Sequence, residues 1–171
     1  GVFLMDPSSG TLTVTAATHN PALDVRGDLT IGADAVYTKG SGTTTFRKGG
    51  GLTQTIWDNT ATTQDLGVCQ ISSNAGNTTL AIGGAYDGYY SRMTKMTIDS
   101  GQTLSMVGSR LWLPGSGTGS TRPSVNNGTL IATDSRFYYN QLVAGTVEVE
   151  ATTYGSLYLH SDSGGAHVHR L

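Results

Sequence analysis

Short runs in which apolar and polar residues alternate follow one another along this chain, and each is closed by Gly, Asn, Asp or Ser. This pattern is typical of β-strands joined by tight corners. No segment keeps a helical period for more than two turns, so the sequence predicts an all-β protein. The runs are TLTVTA, ALDV, DLTI, TTTF, VCQIS, TTLAI, KMTI, TLSMV, RLWL, TLIA, RFYY, TVEVEA and SLYL.

Two segments repeat the same order of strand, small-residue corner and strand. They are GDLTIGADAVYTKGSGTTTF, residues 27–46, and KMTIDSGQTLSMVGSRLWL, residues 95–113. Aligning Leu29–Ile31 with Met96–Ile98 gives an offset of about 67 residues, or roughly three solenoid turns of about 22 residues. Asn-Gly and Asp-Gly hairpin signals occur only in NNGT and YDGY, fewer than a β-sandwich needs. We therefore expect a parallel β-solenoid of about seven rungs, with a β-sandwich as the alternative.

Two stretches interrupt the regular pattern. Residues 74–90 are expected to form a loop or an irregular rung, and residues 113–128 a second excursion, because Pro114 and Pro123 disfavour a central strand. The length of 171 residues is that of one domain. We expect residues 1–171 to form a single solenoid domain, a segment of, or a subunit in, a longer fibrous assembly.

Charge and composition exclude several classes of function. Only 13% of the residues are charged, the formal net charge is -2, and the 10 Lys and Arg residues are scattered, whereas nucleic-acid binding requires clustered basic residues. No apolar run approaches the length of a membrane span.

The single cysteine, Cys69, alternates with apolar neighbours and is interpreted as a buried filler rather than a nucleophile. We expect no cofactor.

The segment from His19 to Ser72, together with MTIDSGQTLSMVG, resembles repeats of very large bacterial surface proteins of the β-helix type, which are adhesin-like and fibrous. Their phrase approximates G-x-L-T-I-G-x-x-A-x-F-x-x-G-x-G-T-x-T-F, and residues 27–46 match it with Tyr37 at the aromatic position. The resemblance implies a fibrous, extracellular or cell-surface, tandem-repeated module. It implies no catalytic residues.

Three charged or metal-binding motifs have a plain structural interpretation beside a functional one. Arg26–Asp28 spells RGD, the tripeptide that integrins recognise, but it falls where a corner is needed. Glu148 and Glu150 share one strand face, as glycosidase carboxylates do, and are expected to be a solvated face. His167 and His169 also share a face. With His160 they form a candidate metal site, although the segment also fits an exposed end in which Val168 points inward.

Aromatic residues form the candidate ligand-binding set. Strand alternation exposes at least one ring in each of YDGYYSR and RFYYN, so a row of rings on a solenoid flank suits sugar stacking. Mutual stacking of the rings is the competing interpretation. The candidates are Tyr86, Tyr89, Tyr90, Tyr138 and Tyr139, with Trp57 and Trp112 as further exposed aromatics.

Repetition without concentrated polar chemistry favours a structural or adhesive module, a rigid solenoid for surface display or filament building. Open solenoid ends favour end-to-end self-association. The alternative is a carbohydrate-binding or polysaccharide-cleaving β-helix with surface glycans as partners, and a Thr-based ice-binding surface is a third hypothesis. No enzyme activity is predicted.

Overall fold

The fold is built from strands alone in the part of the chain that the computed structural model describes. These residues are 3–5, 12–15, 18–60, 62, 64–73, 75–84, 91–106, 108–115, 120–142, 144–161 and 167–170. In chain order the strands are β1 Phe3–Met5, β2 Leu12–Thr15, β3 Leu23–Val25, β4 Leu29–Ile31, β5 Ala35–Thr38, β6 Thr43–Phe46, β7 Leu52–Asp58, β8 Gln64–Asp65, β9 Val68–Ile71, β10 Thr78–Gly84, β11 Ser91–Arg92, β12 Lys95–Ile98, β13 Thr103–Ser105, β14 Arg110–Gly115, β15 Ser120–Thr121, β16 Ser124–Asn126, β17 Thr129–Ile131, β18 Arg136–Gln141, β19 Gly145–Glu148, β20 Ser156–Ser161 and β21 His167–Arg170.

The strands coil into a parallel β-solenoid with three sides. The first sheet has the order β1-β4-β7-β10-β13-β17, the second β2-β5-β8-β11-β14-β18-β20 and the third β16-β12-β9-β6-β3. A short fourth sheet, β15-β19-β21, succeeds the third. All ladders among the described residues are parallel, which confirms the solenoid and rules out the sandwich.

The number of turns is lower than expected. The coil makes about five turns, in each of which the first three sheets receive one strand. After β16 the chain forms β17 in the first sheet and β18 in the second, and β19 then joins the fourth sheet instead of the third. After β19 the chain reaches β20 in the second sheet without a further strand in the first sheet. The expectation of about seven rungs is therefore too high.

The repeat alignment paired strands that do not stack on each other. Leu29–Ile31 lies in the first sheet, whereas Met96–Ile98 lies in the third. The actual turn length also varies, since Ser91 pairs with Leu111 whereas Met96, soon after it in the chain, pairs with the much more distant Ser124. Any two consecutive sides of the three-sided coil give the same strand–corner–strand pattern. The resemblance between the two segments is therefore real, but the alignment matches each strand with a strand on a neighbouring side of the coil.

Aliphatic side chains fill the interior in columns that run from turn to turn. Leu80 stacks on Leu104, and Leu104 on Leu130, in the first sheet. Ile71 and Ile98 stack in the third sheet and are fully buried. Burying an aliphatic side chain contributes about 1.5–3 kcal/mol, so these columns supply the main driving force for coiling.

Buried glutamines satisfy backbone groups where the turns bend. The Gln54 amide donates to the carbonyls of Val25 and Gly27 in the preceding turn. The Gln64 carbonyl accepts from the Tyr37 amide at 2.7 Å. The carbonyl of the third buried glutamine, at position 102, accepts from the Thr78 amide at 2.7 Å. The sheet ladder is missing at a corner, and at Tyr37 it is missing because β8 pairs with β5 only at Thr38. The glutamine side chains replace the missing partners.

Both predicted excursions are corrected in part. Residues 78–84 of the first form β10, a central strand of the first sheet, while residues 85–90 lie outside the described residues. In the second, Pro114 belongs to β14 and pairs with Asn140. The neighbouring β11 ends opposite Trp112, so Pro114 faces a strand on one side only, a position that tolerates its missing N–H.

Cys69 is buried and its Sγ lies 3.5 Å from the Leu66 carbonyl oxygen, and burial raises the pKa of its thiol, which confirms the filler interpretation. Among the described residues there is no helix with the length and apolarity to cross a bilayer.

The RGD tripeptide forms a corner between β3 and β4, as predicted. The Asp28 carboxylate accepts a hydrogen bond from the Thr55 amide at 2.9 Å and lies 3.4 Å from Lys48 Nζ. Arg26 pairs with Asp24. The Asp28 carboxylate thus holds adjacent turns together, whereas the Arg26 ion pair is local to the corner.

Replacing Gln54 by Leu should lower the free energy of unfolding by about 1–3 kcal/mol, because two backbone carbonyls lose a donor in the interior. Urea denaturation measures the effect. Gln70→Leu is the matched control: the Gln70 amide donates to the carboxylate of Asp99, which is only partly buried, so water can replace it. Equal losses in both variants would contradict a special role for the corner.

The stability should depend on Asp24 in acid. The hydrogen bond from Arg47, with help from Arg26, lowers the pKa of Asp24 from 3.8 to about 2. The stabilisation is therefore present above about pH 4 and is lost as the pH falls through about 2. Asp24→Asn should be less stable than the parent at pH 6, with the difference closing by pH 2. A difference independent of pH in urea titrations would refute this.

Candidate functional site

The outer face of the second sheet carries a continuous set of aromatic and basic side chains. On β14, β18 and β20, in-register pairing aligns Trp112 with Tyr138 and Tyr138 with Tyr158. We call these three residues the aromatic column. Two residues earlier on β14 and β18, Arg110 aligns with Arg136, and we call this pair the basic column. Alternation along each strand directs both columns away from the core.

The rings of the aromatic column are held by stacking. Tyr138 and Tyr158 lie 4.5 Å apart between centroids, with planes inclined by only 13°. The guanidinium carbon of Arg92 lies 5.6 Å from the centroid of the Trp112 ring, a cation–π distance. Arg92 also lies 3.8 Å from the Asp65 carboxylate. The stack occupies one face of Tyr158, whose side chain is still 42% exposed.

Polar groups border the aromatic column on its other side. Two residues after Tyr138 and Tyr158 come Asn140 and His160, which are themselves in register. His160 Nδ1 lies 3.4 Å from Asn140 Oδ1. Asn140 is buried and supports His160, which is exposed. The face therefore has flat rings with the His160 imidazole on one side and guanidinium groups on the other.

The predicted tyrosines have different outcomes. Tyr138 lies on the outer face in the aromatic column, which also bears out mutual stacking of the rings. Tyr139 is fully buried, so its assignment to glycan stacking is wrong. Consecutive residues of a strand point to opposite faces, and Tyr139 takes the inward one. Tyr86, Tyr89 and Tyr90 lie outside the described residues.

Tyr139 instead anchors a buried hydroxyl network. Its hydroxyl lies 2.5 Å from the Ser124 hydroxyl and 2.9 Å from that of Tyr154. The Tyr154 hydroxyl donates to the Glu150 carbonyl at 2.7 Å, and the Tyr154 ring packs edge-on against Phe137. Burial raises the pKa of both tyrosines, so the hydroxyls stay protonated and serve structure.

The predicted solvated carboxylate face is corrected. Glu148 and Glu150 do share a side opposite the buried Val147 and Val149, but the Glu150 side chain is only 14% exposed. Arg122 Nε lies 3.9 Å from Glu148 and 3.6 Å from Glu150. The two carboxylates thus share one cation, which offsets the repulsion between them.

Two of the three predicted metal ligands make separate polar contacts in the described structure. His160 contacts Asn140 in the second sheet, whereas His169 Nε2 lies 3.1 Å from the Tyr139 carbonyl oxygen. The side chain of His167 lies outside the description. No group of three His, Cys, Asp or Glu side chains among the described residues is placed to hold a metal ion, so the metal site stays a prediction. Val168 is half exposed, which corrects its expected inward orientation.

Trp57 does not extend the aromatic column. It lies on the first sheet and pairs with Gly83, where a Cβ would approach the indole ring to 2.7 Å. A glycine at this position therefore gives the ring its space. Among the described residues, Trp57 and the aromatic column thus occupy two different sheets.

Sequence reasoning missed most of the members of the face. Tyr158 lies in the run SLYL, whose alternation already predicts an outward tyrosine. Arg110 and Arg136 each precede an aromatic strand, in RLWL and RFYY. The shared order of arginine, apolar residue and aromatic residue was the available signal, but recognising it required the register between the two strands.

Comparison with protein-family models, with curated proteins and with solved structures finds no significant match.

The stacked pair Tyr138 and Tyr158 should show an energetic coupling of about 0.5–1.5 kcal/mol. A double-mutant cycle with Tyr138→Ser and Tyr158→Ser, measured by urea denaturation, tests this. The control cycle combines Tyr158→Ser with Trp57→Ser, which lies on the first sheet and should be additive. Additivity in both cycles would show that the rings are adjacent without stabilising each other.

Proposed function

We propose that this chain is a structural module of a rigid extracellular or cell-surface fibre. The adhesin-like surface repeats that residues 27–46 resemble are of this kind. The observation that carries the proposal is the unbroken parallel register of the second sheet through seven strands. Bending such a stack would break ladder hydrogen bonds between adjacent turns, so the coil is stiff along its axis.

A single module is too short to act as a long spacer. Neighbouring strands of a sheet lie about 4.8 Å apart, so the seven strands of the second sheet extend only a few nanometres along the coil axis. Display at a distance therefore requires several modules joined along this axis. This requirement favours either tandem repetition or self-association of separate chains.

The end of the coil at β20 and β21 is suited to such joining. Within the described residues each of these strands has a neighbour on one side only. Apolar side chains concentrate at this end, where Ile131, Tyr158, Leu159 and Val168 are all exposed. An open strand edge with apolar side chains is a template for another strand, so we propose end-to-end assembly through this end.

End-to-end assembly should depend on Leu159. We expect the parent protein to form filaments as its concentration rises, seen by sedimentation and electron microscopy, and Leu159→Lys to remain monomeric because a charge is buried in the joint. Val36→Lys is the matched control, since Val36 is 40% and Leu159 46% exposed, both on the second sheet. Parent protein that stays monomeric would overturn self-association, and loss of filaments in both variants would exclude this end as the joint.

Glycan binding is a second candidate function, and the exposed ring of Tyr158 favours it. Stacking on Tyr138 orders this ring before any ligand arrives, which lowers the entropy cost of binding. Sugars present apolar C–H faces that pack on such rings. Tyr138 contributes through its support of Tyr158, and the exposed His160 supplies a neighbouring hydrogen-bonding group.

A further inference from the structure

The outer face of the first sheet carries a straight line of threonines. In-register pairing aligns one threonine from each of the successive strands β7, β10, β13 and β17 along the coil axis. We call this line the threonine ladder, and its members are Thr53, Thr79, Thr103 and Thr129. Adjacent strands lie about 4.8 Å apart, so a hydroxyl group and a methyl group recur along the face with this period.

A second line of mostly small side chains runs beside the threonine ladder. It lies two residues further along each strand, a separation of about 7 Å, and consists of Thr55, Ala81, Ser105 and Ile131. Two residues beyond Thr55, the indole ring of Trp57 covers Gly83 of the next strand, so the ring lies along the sheet at the border of this array. The ladder therefore belongs to a regular surface of short side chains.

This surface is uncharged. Among the described strand residues, no Asp, Glu, Lys or Arg side chain projects from the outer face of the first sheet. The second and third sheets differ, since Arg136 projects from one and Lys95 from the other, and both are exposed. A ligand recognised by its charge is therefore disfavoured on the first sheet. The groups that the ladder offers are hydroxyls and methyls.

The threonines are ordered before any ligand arrives. Branching at Cβ restricts the rotation of a threonine side chain about χ1, and Thr79 and Thr103 are half-buried between paired strands on both sides. No described residue forms a side-chain hydrogen bond with a hydroxyl of the ladder. Each hydroxyl can donate one hydrogen bond and accept others. The ladder is therefore a fixed, periodic set of groups that bind water.

We propose that the threonine ladder binds the surface of ice crystals. An ice surface is uncharged and periodic, and each of its water molecules donates and accepts hydrogen bonds, as a threonine hydroxyl does. The two spacings of the array are of the same order as the distances between water molecules in the ice lattice. Because the threonines are already ordered, binding requires little loss of side-chain entropy. This function is independent of both self-association and glycan binding.

Two other flat partners fit the ladder less well. A second coil packed face to face would remove the hydroxyls from water, and each hydroxyl without a new partner would cost free energy. An ice surface, by contrast, supplies water to every hydroxyl. A crystalline polysaccharide packs its sugar rings on aromatic rings, and among the described strand residues of this face only Trp57 supplies one.

Ice capture by the full chain tests the proposal. An ice shell grown slowly from a dilute solution should take up the parent protein, and single ice crystals in that solution should show thermal hysteresis. Thr103→Tyr should lose both, because a large side chain in the middle of the ladder holds the ice away from the other threonines. Thr129→Tyr, on the edge strand β17, should also lose both and disturbs the sheet less.

The matched control is Thr97→Tyr, which should keep ice capture and thermal hysteresis. Thr97 is also half-buried between two paired strands, but it lies on the third sheet. Circular dichroism verifies that each variant is folded.

The remaining outcomes would each overturn the proposal. Parent protein that is excluded from ice and shows no hysteresis does not bind ice. Equal capture of the parent and both ladder variants would place ice binding on another face. Binding to microcrystalline cellulose or chitin without ice capture, lost in Trp57→Ala, would make the face a polysaccharide site. Dimers in sedimentation that Thr103→Tyr abolishes, without ice capture, would make it an interface between coils.

Discussion

Parallel in-register pairing between successive turns is the constraint on which the rest of this structure depends. In such a stack each residue meets the residue one turn earlier and one turn later on the same side of the coil. Leu80, Leu104 and Leu130 thereby form one apolar column, and Trp112, Tyr138 and Tyr158 one aromatic column. The same rule forces Arg110 against Arg136. Interior, surface rings and surface charge are therefore three results of one backbone arrangement.

The corners set the limits of this regularity. Strand ladders satisfy the backbone only along the flat sides, so each bend leaves amides and carbonyls that need other partners. The buried Gln54, Gln64 and Gln102 meet this need by reaching across to adjacent turns. In the same way, Lys39 donates to the carbonyls of Pro21 and Gly42. The number of residues per turn varies, as the different sequence separations of paired residues show. Long polar side chains inside the coil allow this variation because they bond to backbone groups that the ladders leave without partners.

The candidate site shows where sequence reasoning succeeds and where it stops. Period-two alternation in RFYY predicted one outward ring, and Tyr138 is that ring. The same alternation did not say which of the two tyrosines faces outward, and Tyr139 proved to belong to a buried hydroxyl network. The choice depends on which face of β18 the coil turns inward. The basic column was not predictable, because Arg110 and Arg136 are distant in sequence and only the register between turns makes them neighbours.

For the fold, the sequence by itself determined the all-β class and many of the strands. All its short alternating runs became strands, because alternation and corner residues act locally. It also favoured a coil over a sandwich, since hairpin turns are scarce. Only the tertiary structure decided which of the three sides of the coil each run occupies. It placed Leu29–Ile31 and Met96–Ile98 on different sides. The physical reason is that every side presents the same local pattern, whereas the side is set by hydrogen bonds to strands a full turn away.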